Sequence, residues 1–386
     1  MIKIREMFKI IKKIIMEKPK KLLLVGGGHA HIFLIKQFAL KPIPGVDLFL
    51  VSDSNYQYYS GMAAGYVEGI YGLEEISFDL RKMCRHSGVE FIKGRVTGID
   101  AQNRCVTLES DEIVPFDILS LDTGSDMAGG NVQGVVEFAW CIKPLGNLIA
   151  LRKNFIGLTA YESQVVIAGA GAAGIEMAFA LKALSDIMKK NIEITLAHSG
   201  NLILKGYHEN VREKTMRKLN RDKIKVLSNH KISSILEKDI FMESGKQINY
   251  DFLIWAAGPK ANPLYKSSGF SVDKDGYMIV NSYLQSVDYD FIFGAGDCIS
   301  FSEFAYVKKV GVYAIREAPY LYGNLLRFIR NEGLQRYIPQ KNYLAIISAG
   351  EKQAIMQYQG MAISGGMSYK LKGFIDCRFM KKFKFY

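Results

Sequence analysis

The chain has 386 residues, enough for two or three domains with substantial cores. Hydrophobic residues make up 49% and charged residues 23%, a globular composition that excludes a long disordered tail. The net charge of +12 sits at the two ends: residues 1–21 carry eight Lys/Arg against two Glu, and residues 370–386 carry six against one Asp, so two local basic surfaces are expected and a general nucleic-acid groove is not.

The first stretch, "MIKIREMFKIIKKIIMEKPKK", has helical periodicity. Ile4, Met7, Phe8, Ile11, Ile14 and Ile15 share one face, Arg5, Lys9, Lys12 and Lys13 the other, and Pro19 ends it. Such a helix packs on the body or another subunit, or lies in the interface of an anionic membrane. No apolar run reaches the roughly 20 residues of a membrane span. The five cysteines lack C-x-x-C or metal-ligand spacing, which points to reduced thiols, a cytoplasmic setting and no metal site.

Next come a strand at 22–26, a helix from about 28 and a strand at 47–51, followed by a β-rich stretch over 89–122. A second strand–glycine–helix unit opens at "QVVIAGAGAAGIEMAFALKAL", with its second strand in "IEITLAHSG"; "KVLSNHKISSILEKDIFMESG" suggests further hairpin strands. The chain thus holds two copies of one architecture.

"GAGAAG", with Gly169, Gly171 and Gly174, is a complete dinucleotide fingerprint: a tight turn, a close approach to pyrophosphate, and close helix–strand packing. The first unit, "GGGHAH", keeps Gly26, Gly27 and Gly28 but has His31 where the third glycine belongs. That glycine serves packing and not phosphate chemistry, so its loss should loosen the packing and leave the anion site intact. His29 and His31 are read first as helix-start residues, with a direct bond to cofactor as the other option. The acid that usually binds the adenosine ribose falls on Ser52–Asp53 in the first unit and on His198 in the second. A histidine there tolerates or favours a 2′-phosphate, or marks a weakened nicotinamide-nucleotide site. "ILSLDTGS", "FLIWAAGP" and "FIFGAGDCIS" are apolar strands ending in glycine turns, and Asp297 in the last is placed to bind a polyol chain.

The order GxG, DTG, GxGxxG, AAG, GAGD resembles the pyridine nucleotide–disulfide oxidoreductases in the broad sense, including type II NADH dehydrogenases and sulfide:quinone oxidoreductases. Within them it is most similar to the flavoprotein module fused or adjacent to selenophosphate synthetase, through "GGGHAH", "YSGMAAGYVEGIY", "IKPL", "GAGAAGIE", "FGAGDC", "GVYAIREAP" and "LKGFIDCRFM". The resemblance implies an α/β fold with two Rossmann-like dinucleotide-binding domains: a basic helix at 1–19, an FAD domain in two parts at 20–140 and 262–335, an NAD(P)H domain inserted at 141–261, and an interface or membrane segment at 336–386. It implies FAD contacts from Gly26, Gly27, Gly28, His29, Ala30, Ser52, Asp53, Ser60, Gly61, Thr123, Gly124, Gly296, Asp297 and Gly311. Gly169, Gly171, Ala173, Gly174, His198 and Gly258 would line the NADH or NADPH site, and Glu176 would act catalytically beside the nicotinamide.

The implied activity is hydride transfer from NAD(P)H to FAD, with electrons passed to a quinone or similar acceptor. The alternatives are sulfide or selenide oxidation, and a flavin-binding partner of selenium metabolism. Implied partners are selenophosphate synthetase, a second copy of the chain, and an anionic membrane at the inner face, met by the basic ends and by Phe379, Phe383, Phe385 and Tyr386 in "FMKKFKFY". The chain departs from its relatives in three ways. It lacks the C-x-x-x-x-C of disulfide reductases, and Cys141 and Cys298 are the one conceivable redox pair, read here as inert thiols. Val312 and Arg316 stand where type II dehydrogenases carry quinone-site glutamines.

Overall fold

Two short runs of buried aliphatic residues organise the chain. In the computed structural model, which describes residues 18–158 and 162–386, Leu22, Leu23, Leu24 and Val25 are all buried along β1 (Lys20–Val25). A strand buried on both faces belongs in the middle of a parallel sheet. α1 (His29–Leu40), β2 (Val46–Ser52), α2 (Ala63–Glu68), β3 (Glu90–Lys93) and β4 (Ile118–Leu121) follow. The expected basic helix at 1–19 falls almost wholly outside the described residues.

The second run, Val165, Val166, Ile167 and Ala168, is buried in the same way. Around it lie β5 (Trp140–Cys141), β6 (Glu162–Ala168), α3 (Ala172–Ile187), β7 (Asn191–Ala197), β8 (Lys225–Leu227) and β9 (Phe252–Trp255). The chain then supplies β10 (Ile292–Gly294) and α4 (Gly311–Ile329), which packs on α1. The first sheet runs β10-β4-β1-β2-β3 and the second β5-β9-β6-β7-β8, every pairing parallel. The two are one design used twice. Each carries a three-stranded antiparallel flap, Val96–Pro115 on the first and Ile232–Asn249 on the second. Lys225–Leu227 is thus the edge of a parallel sheet and not a hairpin strand, because its register is set by Thr195–Ala197.

The last layer is a meander of β11 (Ala345–Ser348), β12 (Ala354–Tyr358) and β13 (Met361–Gly365), followed by α5 (Gly366–Phe383). Here the structure corrects the expected membrane-facing aromatic comb. Phe379 stacks on Tyr59 with ring centroids 4.7 Å apart, and Phe383, 3% exposed, packs between Phe33 and Phe379. Phe385 meets His86, and the Tyr386 hydroxyl accepts the Asp79 N–H at 2.7 Å. Helical spacing puts Phe379, Met380 and Phe383 on the inner stripe, so burial takes them inward. The outward apolar residues of α5 are instead Met367, Leu371, Phe374 and Ile375.

Phe383→Ala should cost about 3–4 kcal/mol by emptying this contact. A denaturant unfolding curve with an unchanged midpoint would show that the tail does not dock.

Candidate functional site

Both parallel sheets reverse direction of growth beside their first strand, between β1 and β4 and between β6 and β9. Such switch points form crevices at the strands' carboxyl ends. At the first, Gly28 N donates to Asp122 O at 3.2 Å, and a Cβ on Gly28 would stand 2.2 Å from the Asp122 carboxyl. No side chain larger than hydrogen is possible there.

His31 behaves differently from the expectation of loosened packing. It is 0% exposed; its Nδ1–H donates to Gly26 O at 2.6 Å, and its Nε2 accepts from the Ser120 hydroxyl at 2.9 Å. The ring ties the glycine loop to β4. At the matching place in the second unit, a Cβ on Gly174 would lie 1.9 Å from Gly169 O, so glycine is required there. In the first unit the equivalent carbonyl accepts an imidazole N–H instead. Burial pushes His31 down to about 4, so the ring is neutral at neutral pH and this tautomer is fixed. His31→Gly, which restores the common fingerprint, should therefore destabilise the protein by about 2–4 kcal/mol, since it leaves Gly26 O and Ser120 unpaired over a void. A melting temperature equal to or above wild type would refute this role.

The other expected FAD residues converge on the same crevice. Ser52 ends β2 and Asp53 follows it, exposed, with its carbonyl accepting from Lys93. The Thr123 hydroxyl bonds that of Tyr265. Beyond Gly124, Lys143 donates to Ser125 Oγ at 2.7 Å and pairs with Asp297 at 3.7 Å, while Ser125 donates to Asp297 at 3.3 Å. Gly296 N donates to Glu317 Oε2 at 2.6 Å. Ser60 lies beside Gly311, whose added Cβ would be 3.8 Å from the Ser60 hydroxyl. His29 sits edge-on to Tyr59 at 5.6 Å, with a buried Nε2 that has no partner among the described residues. Ala30 N donates to Asp122 Oδ2 at 2.8 Å. An unpaired ring nitrogen, an exposed carboxylate at the β2 end and a glycine loop without side chains of its own fit a polar dinucleotide.

At the second switch point, Gly171 and Ala173 leave the start of α3 open to solvent, and Gly258, with φ +71°, turns the chain away after β9. His198 directly follows β7 but is held back, 8% exposed, with Nε2 3.0 Å from Ser228 Oγ; burial and nearby His230 lower its pKa. Glu176, on the first turns of α3, is half-buried and accepts the Ser348 N–H at 2.8 Å. Burial raises its pKa, and Asp376 adds to this while Lys372 and Ser348 oppose it.

Sequence reasoning passed over what joins these two regions. Lys372 and Asp376 form a buried pair at 2.7 Å on α5. Lys372 also donates to Gly61 O, and Asp376 accepts from the Tyr59 hydroxyl at 3.1 Å. A polar seam therefore runs from Glu176 to the "YYSGM" segment. It opens on a small cleft lined by Gly61, Glu68, Tyr71, Gln353, Tyr369 and Lys372. The Lys-x-x-x-Asp spacing on a helix was the available signal. Cys141 lies in the second sheet and Cys298 in the turn just after β10 of the first, buried against Leu121 O and Ala295 O; burial raises both thiols, Cys298 to about 12, which keeps them protonated.

Residues 20–318 match the family described as "Pyridine nucleotide-disulphide oxidoreductase", and the chain belongs to it. It is an FAD- and NAD(P)H-using oxidoreductase of the α/β type. Ferroptosis suppressor protein 1 of Xenopus laevis is 27% identical over 363 residues, covering 90% of this chain and 91% of that one. The NADH dehydrogenase-like protein YutJ of Bacillus subtilis is 23% identical over 287 residues, covering 73% and 77%. Among solved structures, the sulfide:quinone oxidoreductase of Aquifex aeolicus superposes with a TM-score of 0.80 at 19% identity, over 95% of this chain and 91% of that one. These relatives lend no support to an association with selenophosphate synthetase.

Proposed function

We propose that this protein oxidises NADH or NADPH at the second switch point, reduces FAD held at the first, and passes the electrons to a quinone-like acceptor under the C-terminal layer. The observation that carries the reading is the seam: Glu176, on the nicotinamide-side helix, is bonded to Ser348 of β11, and Gly61, on the flavin-side segment, to Lys372 of α5, the adjoining element of the same C-terminal layer. Bound FAD supplies the hydride-accepting and electron-passing chemistry. The chain's own work is placement. The Gly26–Gly28 loop and α1 hold the pyrophosphate, Asp53 the ribose and Asp297 the polyol chain, while Gly169, Gly171 and Gly174 receive the nicotinamide dinucleotide. Tyr71, Tyr369 and Lys372 line a cleft of about 10 Å³, room for about one water, so a flat acceptor entering there has to part α5 from the "YYSGM" segment.

The name of the Bacillus subtilis relative favours NADH chemistry, and nothing at Cys141 or Cys298 favours sulfide oxidation. Among the described residues no helix is long and apolar enough to cross a membrane. Met367 (83% exposed) and Phe374 (63%), with Leu371 and Ile375, give α5 an outward apolar face beside Lys370, Lys381 and Lys382, which suits attachment to an anionic membrane surface.

The deciding experiment is anaerobic stopped-flow reduction of the bound flavin. NADH and NADPH should each bleach it at rates within about a hundredfold of one another, because a retracted His198 neither binds ribose hydroxyls as a carboxylate would nor repels a 2′-phosphate. Bleaching by sulfide alone would overturn the proposal. Glu176→Gln keeps the bond from Ser348 and removes the charge. Turnover should fall roughly 10- to 1000-fold, about 1.4–4 kcal/mol of barrier, with flavin content unchanged. Wild-type turnover would leave Glu176 only its structural bond, and lost flavin would make it a fold residue.

A further inference from the structure

Asp122 lies directly beneath the proposed flavin loop and is 3% exposed. Its Oδ2 accepts two N–H groups of the first turn of α1, Ala30 at 2.8 Å and His31 at 3.3 Å, while its backbone carbonyl takes Gly28 N. Those are the orphan donors with which a dinucleotide helix greets a pyrophosphate. Oδ1 has no hydrogen-bond partner among the described residues. It lies between two glycines: a Cβ on Gly28 would come within 2.2 Å of it and one on Gly296 within 2.7 Å. A carboxyl group thus already occupies the helix N-terminus where the glycine fingerprint receives a dianion.

Two negative groups cannot share one helix N-terminus without mutual repulsion, and a buried carboxylate without a cation is costly. We propose that Asp122 gates flavin retention by its own protonation: in both states its Oδ2 caps α1, but as the neutral acid it leaves the diphosphate of FAD tolerated at that helix N-terminus, and as the carboxylate it repels the diphosphate from it. FAD uptake by the ionised protein then takes one proton from solvent onto Asp122. The inference rests on the flavoprotein reading above.

The surroundings agree from every side. From the β10 loop Asp297 faces Asp122 and disfavours its charge; from α4 Glu317 lies near it, its own charge disfavoured by Asp122, with a buried Oε1 that lacks a partner among the described residues. From α1 come His29 and His31, each lowered to about 4 by burial and hence uncharged near neutrality. Tyr265 and Cys298 face it as neutral groups. The nearby cations are both turned elsewhere. Lys143 is paired with Asp297, and Lys309 is bonded to Ile299 O with its pKa lowered by burial. Burial pushes Asp122 up to about 7 and Glu317 up to about 8. Because FAD prefers the protonated form, affinity is full below about pH 7 and falls as pH rises through it, by up to tenfold per pH unit.

The test uses the full chain purified with its flavin, equilibrated between pH 6 and 8.5, with released FAD read by its fluorescence. The wild-type dissociation constant should rise at least tenfold across that range, and about one proton should be taken up per FAD bound at pH 8 in weakly buffered solution. Asp122→Asn should hold FAD within about threefold of the same affinity throughout, while Glu317→Gln keeps the dependence and so excludes Glu317 as its source. A flat wild-type profile with tight FAD overturns the gate and leaves the flavoprotein reading intact. An Asp122→Asn profile as steep as wild type, or one abolished by Glu317→Gln, also overturns it. Should Asp122→Asn fail to fold by circular dichroism, the wild-type proton count decides, and zero uptake sinks the proposal. A chain that takes up no FAD at any pH ends both readings.

Discussion

Bare backbone contact at the strand ends is the constraint on which the molecule depends. At each switch point two loops from distant parts of the chain touch without a side chain between them: Gly26 against Asp122, with an added Cβ 2.4 Å from its carbonyl, and Gly169 against Ala256 at 2.3 Å. This closeness brings the helix N-termini and the neighbouring turns into the same crevice. Asp297, Glu317 and Lys143 reach the first crevice because the β4 and β10 loops are forced together there. A methyl group in either contact would separate the layers by several tenths of an ångström and unhook every polar group that converges above it.

The third layer acts as a wedge between the two sheets' helices. The turn between β11 and β12 presses Gly350, at φ +67°, into α3, where a Cβ would stand 2.8 Å from Phe179 O. Glu68 of α2 accepts Glu351 N at 2.9 Å from one side, and Glu176 of α3 accepts Ser348 N from the other. Two carboxylates from two dinucleotide units thus hold one hairpin by its backbone. Burial disfavours the charge of both, and the main-chain donor that each accepts offsets part of that cost.

The parallel sheets were legible because their evidence is local: four consecutive buried aliphatics, then glycines at fixed spacing. The family and its cofactors followed from the order of those motifs. What could not be seen was long-range. The imidazole of His31 reaches Ser120, 89 positions away, so a missing glycine looked like slackness when it is a brace. The aromatic tail looked amphipathic, but its outcome depended on Tyr59, Phe33 and His86, which nothing near residue 380 announces. Glu176 was visible as a helix-start acid, but its bond to Ser348 spans 172 positions.

The two sheets, alike in order, differ in when their edge strand is made. In the second sheet that strand, β5, precedes the rest, so the sheet is complete once residue 255 has emerged from the ribosome. The first sheet has four strands by residue 121 but lacks β10 until residue 294. During the synthesis of some 170 intervening residues, β4 stands as an uncovered edge with Leu119 and Leu121 ready to pair. At about 5–20 residues per second that exposure lasts on the order of ten seconds or more, long enough for a foreign strand to dock. The second sheet therefore matures first, and the first sheet, whose strands enclose it in sequence, is the slow, vulnerable partner in biosynthesis.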